Sequence, residues 1–469
     1  MQETVRPPEK VLYILRTLKE NGCEAYAVGG CVRDSILGRK PKDWDITTVA
    51  LPYFVKALFL KTINTGLKHG TVTVMLEGEA FEVTTFREDG LYEDGRRPDS
   101  VEFTASLEND LRRRDFTMNA MAWNEERGIV DPFGGMKDIA AGTIRAVGEA
   151  DERFREDSLR ILRAVRFAAR LGFEIEDRTL KAAAEESRLI SNVSSERIRE
   201  ELNGILTADY PMKFSLLREI GILKLILPEV EACFNTPQNN PHHAYGVGEH
   251  TLRAVAACVN DKNLRWVMLL HDTGKAVTRT TDEKGVDHYY GHPAKSVEIA
   301  RAILGRLKFD NKSTDKILRL VKYHDREILP LRKAVAKAVN TVGEDIFPDL
   351  LNVKRADKSA QIPKDIKKGL EYVDRIESIY NGLKKEKHCL RLNDMAIDGN
   401  DLIGMGFEQG KEVGRILGLL FDKVLDDPAL NERHILTELA EGLLAPGHKN
   451  IKSVMEGQEL NAGDVRPIT

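Results

Sequence analysis

Residues Tyr26–Thr48 read YAVGGCVRDSILGRKPKDWDITT. A run of strand-forming residues stops at Gly29-Gly30, and a short helical stretch follows with Arg33 in its first turn. A basic link then leads to a second extended run that carries Asp43-Trp44-Asp45. Glycines let backbone N–H groups approach a phosphate, and the start of a helix adds its positive end. In a strand, residues i and i+2 project to one face, so Asp43 and Asp45 point together while Trp44 packs behind them. Two adjacent carboxylates repel, which favours a divalent cation between them. Hard oxygen ligands suit Mg²⁺, an ion that keeps waters and recruits substrate phosphates. Alone, a Gly-Gly is commonly a turn and an Asp-x-Asp a solvated edge. Their order within one segment points to a single site for a metal-bound triphosphate.

The flanks supply the rest of a small sheet. PPEKVLYILRTLKENG, residues 7–22, has the spacing of an amphipathic helix that stops at Gly22. EAYAVGG, WDIT, TVTVML and FEVTTF read as short strands, the last two joined by LEGE as a hairpin. FEVTT places Glu82 between apolar neighbours, either as a third carboxylate on the same face or as a solvent-facing strand residue. REDGLYEDGRRPDS, residues 87–100, has no period and reads as a long functional loop. From about Ala146 strand signals fade and helical patterns run to about Leu443, interrupted by NTPQNNPHH and by the polar stretch around Lys364.

The chain has 469 residues, too many for one core and enough for about three domains at typical sizes. Lys and Arg number 70 against 74 Asp and Glu, for a formal net charge of -4, so a polyanion has to bind a local basic stripe. Five scattered cysteines form no C-x-x-C pair, which disfavours a disulfide framework or a thiolate zinc site. No signal-peptide core or membrane-length apolar run is present, and a reducing, cytoplasmic location with no membrane partner is the expectation.

Two metals on carboxylates can activate a 3′-hydroxyl and steady a pyrophosphate leaving group. At this point the sequence resembles the class II tRNA nucleotidyltransferases, the CCA-adding enzymes and their bacterial poly(A) polymerase relatives, with a central HD domain. The resemblance rests on GGCVRD and DWDIT, then RRDFTMNA (Arg113–Ala120), DPFGG (Asp131–Gly135), EDSLR (Glu156–Arg160) and SSERIREEL (Ser194–Leu202), all in the family's order. It implies that Asp43 and Asp45 hold the catalytic metals, with Glu82 beside them, and that Gly29, Gly30 and Arg33 hold the triphosphate. It also implies that Arg114, Asp115 and Asn119 meet the incoming nucleotide. EDSLR would read the base: Asp157 and Arg160 offer an acceptor and a donor fork to a Watson–Crick edge, with Arg163 beside them. Cytosine and adenine both present an amine donor next to a ring-nitrogen acceptor, so one pair could read both. The competing reading is an ordinary helix-surface ion pair at i,i+3 or i,i+4.

The loop over residues 87–103 resembles the flexible loop of enzymes that add the terminal A, and TGLKHGTVTV resembles the CCA-adding branch. Seven of eleven histidines fall between His242 and His324. EHTL, LLHDTGK, GHPAKS and VKYHD resemble an HD-type metal phosphohydrolase, with His250, His271, Asp272 and Asp325 at its ligand positions and His292 as an addition. Imidazole with carboxylate suits Mn, Mg, Ni or Fe. Arg163, Arg166 and Arg170 line one helical flank; Arg166 and Arg170 carry RNA phosphates toward the head, or form a solvated face. LNDMAIDGNDLIGMGFEQGKEVGRILGLLFDKVL resembles the tRNA-binding body, and GMGFEQG within it is no dinucleotide fingerprint because no strand precedes it.

The expected fold class is α+β, a small mixed-sheet nucleotidyltransferase head followed by an elongated, all-helical body that includes an HD domain. The expected divisions are 1–145 for the head, 146–225 for a base-recognition neck, 226–345 for the HD region and 346–469 for the tRNA-binding body and tail. The function implied is template-independent addition of CCA to tRNA from CTP and ATP. The alternatives are an A-adding enzyme or poly(A) polymerase of the same fold, and an HD phosphohydrolase with a vestigial head.

Overall fold

Val11, Ile14, Leu15 and Leu18 recur at helical spacing and are buried, which fixes helix Glu9–Glu20 against the head. The helix stops at Asn21 and Gly22, where Gly22 adopts φ 77°. The computed structural model describes residues 5–90, 101–239, 245–386 and 388–444. The loop residues 91–100, part of NTPQNNPHH including His242, and the tail from residue 445 lie outside them.

The head is built on β1 (Ala25–Val28), β2 (Asp45–Thr48), β3 (Thr62–Gly66), β4 (Thr71–Leu76) and β5 (Glu79–Thr85). A small ladder pairs β6 (Arg87–Asp89) with β7 (Val101–Phe103), and β8 (Ala122–Asn124) and β9 (Gly128–Val130) complete the sheet. The sheet order is β3-β4-β5-β2-β1-β8-β9. The β2–β5 pair is parallel and the other pairs are antiparallel, so the sheet is mixed. LEGE closes the β4–β5 hairpin with Glu77 and Gly78 both at positive φ, the primed turn whose twist matches the flanking strands.

Helices Glu9–Glu20 and Pro52–Leu58 pack against the sheet. On the face shared by Tyr26, Val28 and Asp45, the core gathers Tyr26, Val28, Phe86, Leu107, Leu111, Ala120, Ala122 and Val147. Sequence reading missed β3, β8, β9 and helices Pro52–Leu58 and Leu107–Arg112. All are seven residues or fewer, too short for a period to stand out.

Beyond residue 145 the regular structure of the described residues is helical apart from strands of two brief ladders. Thr143–Ile144 pairs with Glu174–Ile175, and Thr280–Thr281 pairs with Asp287–His288. The all-helical expectation for the body is corrected by the second ladder and by Glu174–Ile175. Two compact units result: Met1–Lys322 with Ser359–Ile362, and Tyr323–Lys358 with Pro363–Thr469. In the second unit Phe347 meets Tyr380 at 5.0 Å between ring centroids, among buried Val335, Val339, Ile376 and Leu420. GMGFEQG lies between helices Gly399–Gly404 and Lys411–Asp426, with Phe407 buried, as a helix–helix turn.

Candidate active site

The register of β2 decides the geometry. Trp44 is buried while Asp43 and Asp45 on either side are exposed, the alternation expected from the sequence. β2 and β5 pair in parallel with Ile46 opposite Val83, so Asp45 and Glu82, one residue earlier on each strand, stand side by side on the opposite face. Glu82 is exposed there, and the three carboxylates gather on one face of the sheet where β2 begins. Although its surface stays open, burial among neighbouring groups pushes the Asp45 carboxyl above its ordinary range; Arg114 opposes the shift, and the Asp43 and Glu82 charges add to it. A divalent cation would relieve that repulsion, so the donor set fits a hard metal.

Gly29 ends β1 at φ 81°, a conformation that side chains resist. A Cβ there would lie 2.7 Å from Arg114 Nη1. The N–H of Gly29 donates to the Met121 carbonyl at 3.0 Å, so its contribution is space for a guanidinium rather than a donor to phosphate. Arg33 departs from its expected place: its side chain is 3% exposed and turned inward. It donates to Asp34 Oδ1 through Nε at 2.8 Å and Nη2 at 2.7 Å, and to Asn119 Oδ1 through Nη1. Its burial requires compensation by Asp34, which explains why two oppositely charged neighbours occur together at the start of this helix.

RRDFTMNA forms a connected polar network. Asn119 Nδ2 donates to Asp115 Oδ1 at 2.9 Å, and Arg163 Nε donates to Asp115 Oδ2 at 2.8 Å. Burial pushes the Asp115 carboxyl up, but Arg163 and Asn119 outweigh it and hold it at about 2. The Phe167 ring carries Arg33, Arg163 and Arg166 at 5.1, 5.5 and 4.6 Å from its centroid. DPFGG braces this network from behind. Asp131 accepts from the N–H groups of Gly135 and Met136 at 2.7 and 2.8 Å, and Gly135 packs directly on the Thr117 carbonyl.

The pair expected to read the base lies at a helix break. Asp157 separates helices Ala150–Glu156 and Leu159–Leu171 and caps the second through the Leu159 N–H at 3.1 Å. Its other oxygen accepts from Arg197 Nη2 at 2.9 Å. Arg160 is buried and donates to Glu156 Oε2 at 2.7 Å and to the Arg113 carbonyl at 2.9 Å. Arg160 therefore stands next to RRD, each of the two residues is fixed by its own partner, and the Glu156–Arg160 ion pair of the competing reading is also formed. Arg197, inside SSERIREEL, was not singled out from sequence. Neither was Asp110, a carboxylate buried beneath β2.

Arg166 and Arg170 are half-buried and paired inward, which corrects the picture of an open basic stripe. Arg166 Nε donates to Glu201 Oε2 at 2.6 Å, and Arg170 Nη2 donates to Asp34 Oδ2 at 3.1 Å.

A second cluster lies elsewhere in the first unit. Ligand atoms of buried His250, His271 and Asp272 all lie within 4.8 Å of one another. His271 Nε2 is 3.2 Å and His250 Nε2 3.7 Å from Asp272 Oδ2, and His292 Nε2 is 3.4 Å from Asp272 Oδ1. The Nδ1 atoms of His271, His292 and His250 face the carbonyls of Met268, Tyr289 and Ala360 at 2.7, 3.0 and 3.3 Å. Each ring thus sets Nδ1 against a carbonyl and Nε2 toward Asp272, the ring orientation that metal-binding imidazoles use. Lys275 Nζ also reaches Asp272 Oδ2 at 2.7 Å. Burial pushes the Asp272 carboxyl up, yet His271 and Lys275 prevail and hold it well below the usual range. Asp325 belongs to the second unit, where it is exposed and the adjacent His324 is buried.

Three family models match: "Poly A polymerase head domain" over residues 25–145, "Probable RNA and SrmB- binding site of polymerase A" over 172–234, and "HD domain" over 242–373. A CCA-adding enzyme of Geobacillus thermodenitrificans is 44% identical over 308 residues, 65% of this chain and 71% of that protein. The chain belongs to the CCA-adding enzymes. The CCA-adding enzyme of Geobacillus stearothermophilus is 50% identical over 309 residues, again 65% of this chain and 71% of that protein. A solved structure, Bacillus stearothermophilus CCA-adding enzyme in complex with CTP, is 31% identical, with a TM-score of 0.70 over 97% of this chain and 100% of that one. As in a CCA-adding enzyme, a nucleotidyltransferase head on a mixed sheet precedes a helical body. Among the described residues no helix is long and apolar enough to cross a membrane.

Proposed function

We propose that this chain builds or repairs the CCA end of tRNA from CTP and ATP without a nucleic-acid template, releasing pyrophosphate. The observation that carries this reading is the gathering of Asp43, Asp45 and Glu82 on one sheet face where β2 begins, beside Arg114 and Gly29, in a CCA-adding enzyme. Asp43 and Asp45, with Glu82 adjacent, would hold Mg²⁺, which when bound lowers the pKa of the tRNA 3′-hydroxyl and neutralises the pyrophosphate. The hydroxyl attacks the α-phosphate, and the bond to the β-phosphate breaks. Arg114, held over Gly29, donates to the nucleotide, and Asp115 and Asn119 order the wall behind it. Asp157 accepts from the exocyclic amine shared by cytosine and adenine, and Arg160 donates to the neighbouring ring nitrogen.

Residues 1–145 act as the catalytic head, 146–225 as the base-reading neck, 226–345 as the HD region and 346–469 as the tRNA-binding body, in the cytoplasm. His250, His271, Asp272 and His292 are suited to a second divalent ion, Mn, Ni or Fe, which supports an added phosphohydrolase reading. Replacing Asp43 or Asp45 by Ala should lower nucleotide addition by roughly a thousandfold or more, with thermal stability retained because both side chains are exposed. His271→Ala should leave addition intact. The reverse pattern would favour an HD phosphohydrolase with a vestigial head.

A further inference from the structure

Asp110 is a carboxylate with no surface. It is 0% exposed, on helix Leu107–Arg112, whose N-terminus is capped by Ser106. Its Oδ1 accepts from Arg113 Nη2 at 2.7 Å and Nε at 3.1 Å, and from the Arg87 N–H at 3.4 Å. Its Oδ2 lies 3.1 Å from Thr47 Oγ1 and 3.8 Å from Arg114 Nη2. Thr47 follows Asp45 by two residues on β2, so it shares that strand face with the metal-site carboxylate. Asp110 thus touches the strand that carries Asp45 and both arginines of RRD. Being sealed from solvent, it cannot ligate a metal or meet a nucleotide itself.

The guanidinium of Arg114 sits among three carboxylates. Burial works against its charge and lowers its pKa, Asp110, Asp45 and Asp115 each favour the charge, and Arg113 opposes it. Asp45 belongs to the proposed metal site, and Asp115 is turned toward the neck through Arg163. Asp110 faces neither, and its ion pairs are with the two arginines Arg113 and Arg114. A long, flexible side chain that must receive an anion gains most from a fixed counter-charge that leaves its outer N–H groups free.

We infer that Asp110 is a positioning residue for nucleotide binding, fixing Arg114 over Gly29 so that the guanidinium meets the ribose-triphosphate portion common to CTP and ATP. The inference rests on the proposed nucleotidyl transfer and extends it. Because Asp110 acts on the shared portion, its loss is blind to the base, whereas changes at Asp157 or Arg160 are not.

The test compares steady-state incorporation of CTP into tRNA lacking CCA, and of ATP into tRNA ending in CC, by wild type and Asp110→Asn in the full chain. KM for both nucleotides should rise by the same factor, about tenfold, with kcat changed less than about threefold. In an Arg114→Lys background, Asp110→Asn should add no further rise. A folded Asp110→Asn enzyme with wild-type KM values, unequal factors for CTP and ATP, or an undiminished effect in the Arg114→Lys background would each overturn the inference. If Asp110→Asn does not fold, Thr47→Val removes one hydrogen bond to the same carboxylate. It should raise both KM values equally, by about two- to threefold, and no change would again overturn the inference. Wild type that incorporates neither nucleotide would sink the transferase reading instead, so the two failures are distinct.

Discussion

Asp115 shows how one residue ties catalysis to stability. Its carboxyl is buried yet held at about 2 by Arg163 and Asn119, against an ordinary value near 4. A depressed folded-state pKa stabilises the fold above the ordinary value, and that contribution is lost as pH falls through about 2. The linked contribution at neutral pH is about 2 kcal/mol. Urea unfolding followed by the fluorescence of Trp44, Trp123 and Trp266, all in the first unit, should show Asp115→Asn less stable than wild type at pH 7. The gap should close between pH 4 and pH 2, and a gap independent of pH would contradict the assignment. At this scale the sequence was legible where local rules govern. Asp43-Trp44-Asp45 alternates as a strand must, whereas Gly29, read as a phosphate donor, instead makes room for Arg114. Arg33 and Asp110 were not legible, because their burial is decided by elements brought together from distant parts of the chain.

At the scale of elements, the parallel β2–β5 pairing is what brings Glu82 to Asp45. Periodicity left Glu82 open between a site residue and a solvent-facing one, since pairing partners and register are not encoded in either strand alone. The neck shows the same limit. EDSLR has the spacing of a surface ion pair, and the Glu156–Arg160 bond is indeed made. The helix break at Asp157 and its bond to Arg197, 40 residues later, are what fix the Asp157 carboxylate. Arg197→Ala should release that oxygen and relax base choice, raising incorporation of UTP relative to CTP by roughly tenfold. Competition assays with both nucleotides measure this directly, and unchanged discrimination would remove Arg197 from the reading apparatus. The arginine flank was legible as a pattern, but the acids that pair with it, Glu201 and Asp34, sit on other elements.

At the scale of the molecule, the change from strand-rich head to helical body was legible in composition and period. The extent of the first compact unit, which runs from the head through the neck to Lys322, was not. Contacts at the far end of the neck explain it. Buried Arg265 donates to the carbonyls of Leu206 and Ala208 at 2.6 and 3.0 Å, capping helix Ser195–Leu206. Trp266 Nε1 donates to Asn203 Oδ1 at 2.8 Å on the same helix. The neck that carries Arg197 is therefore anchored at its C-terminal end by the region that carries His271 and Asp272. The carboxylates of Asp43, Asp45 and Glu82, Arg114 over Gly29, and the fixed Asp157 and Arg160 lie in one continuous unit, the arrangement that the proposed transfer requires. The most direct test of that account is extension of a tRNA lacking CCA, resolved at single nucleotides, with CTP alone, ATP alone and both together. The account predicts two additions with CTP alone, none with ATP alone and three with both. Failure to incorporate CTP under any of these conditions would contradict it.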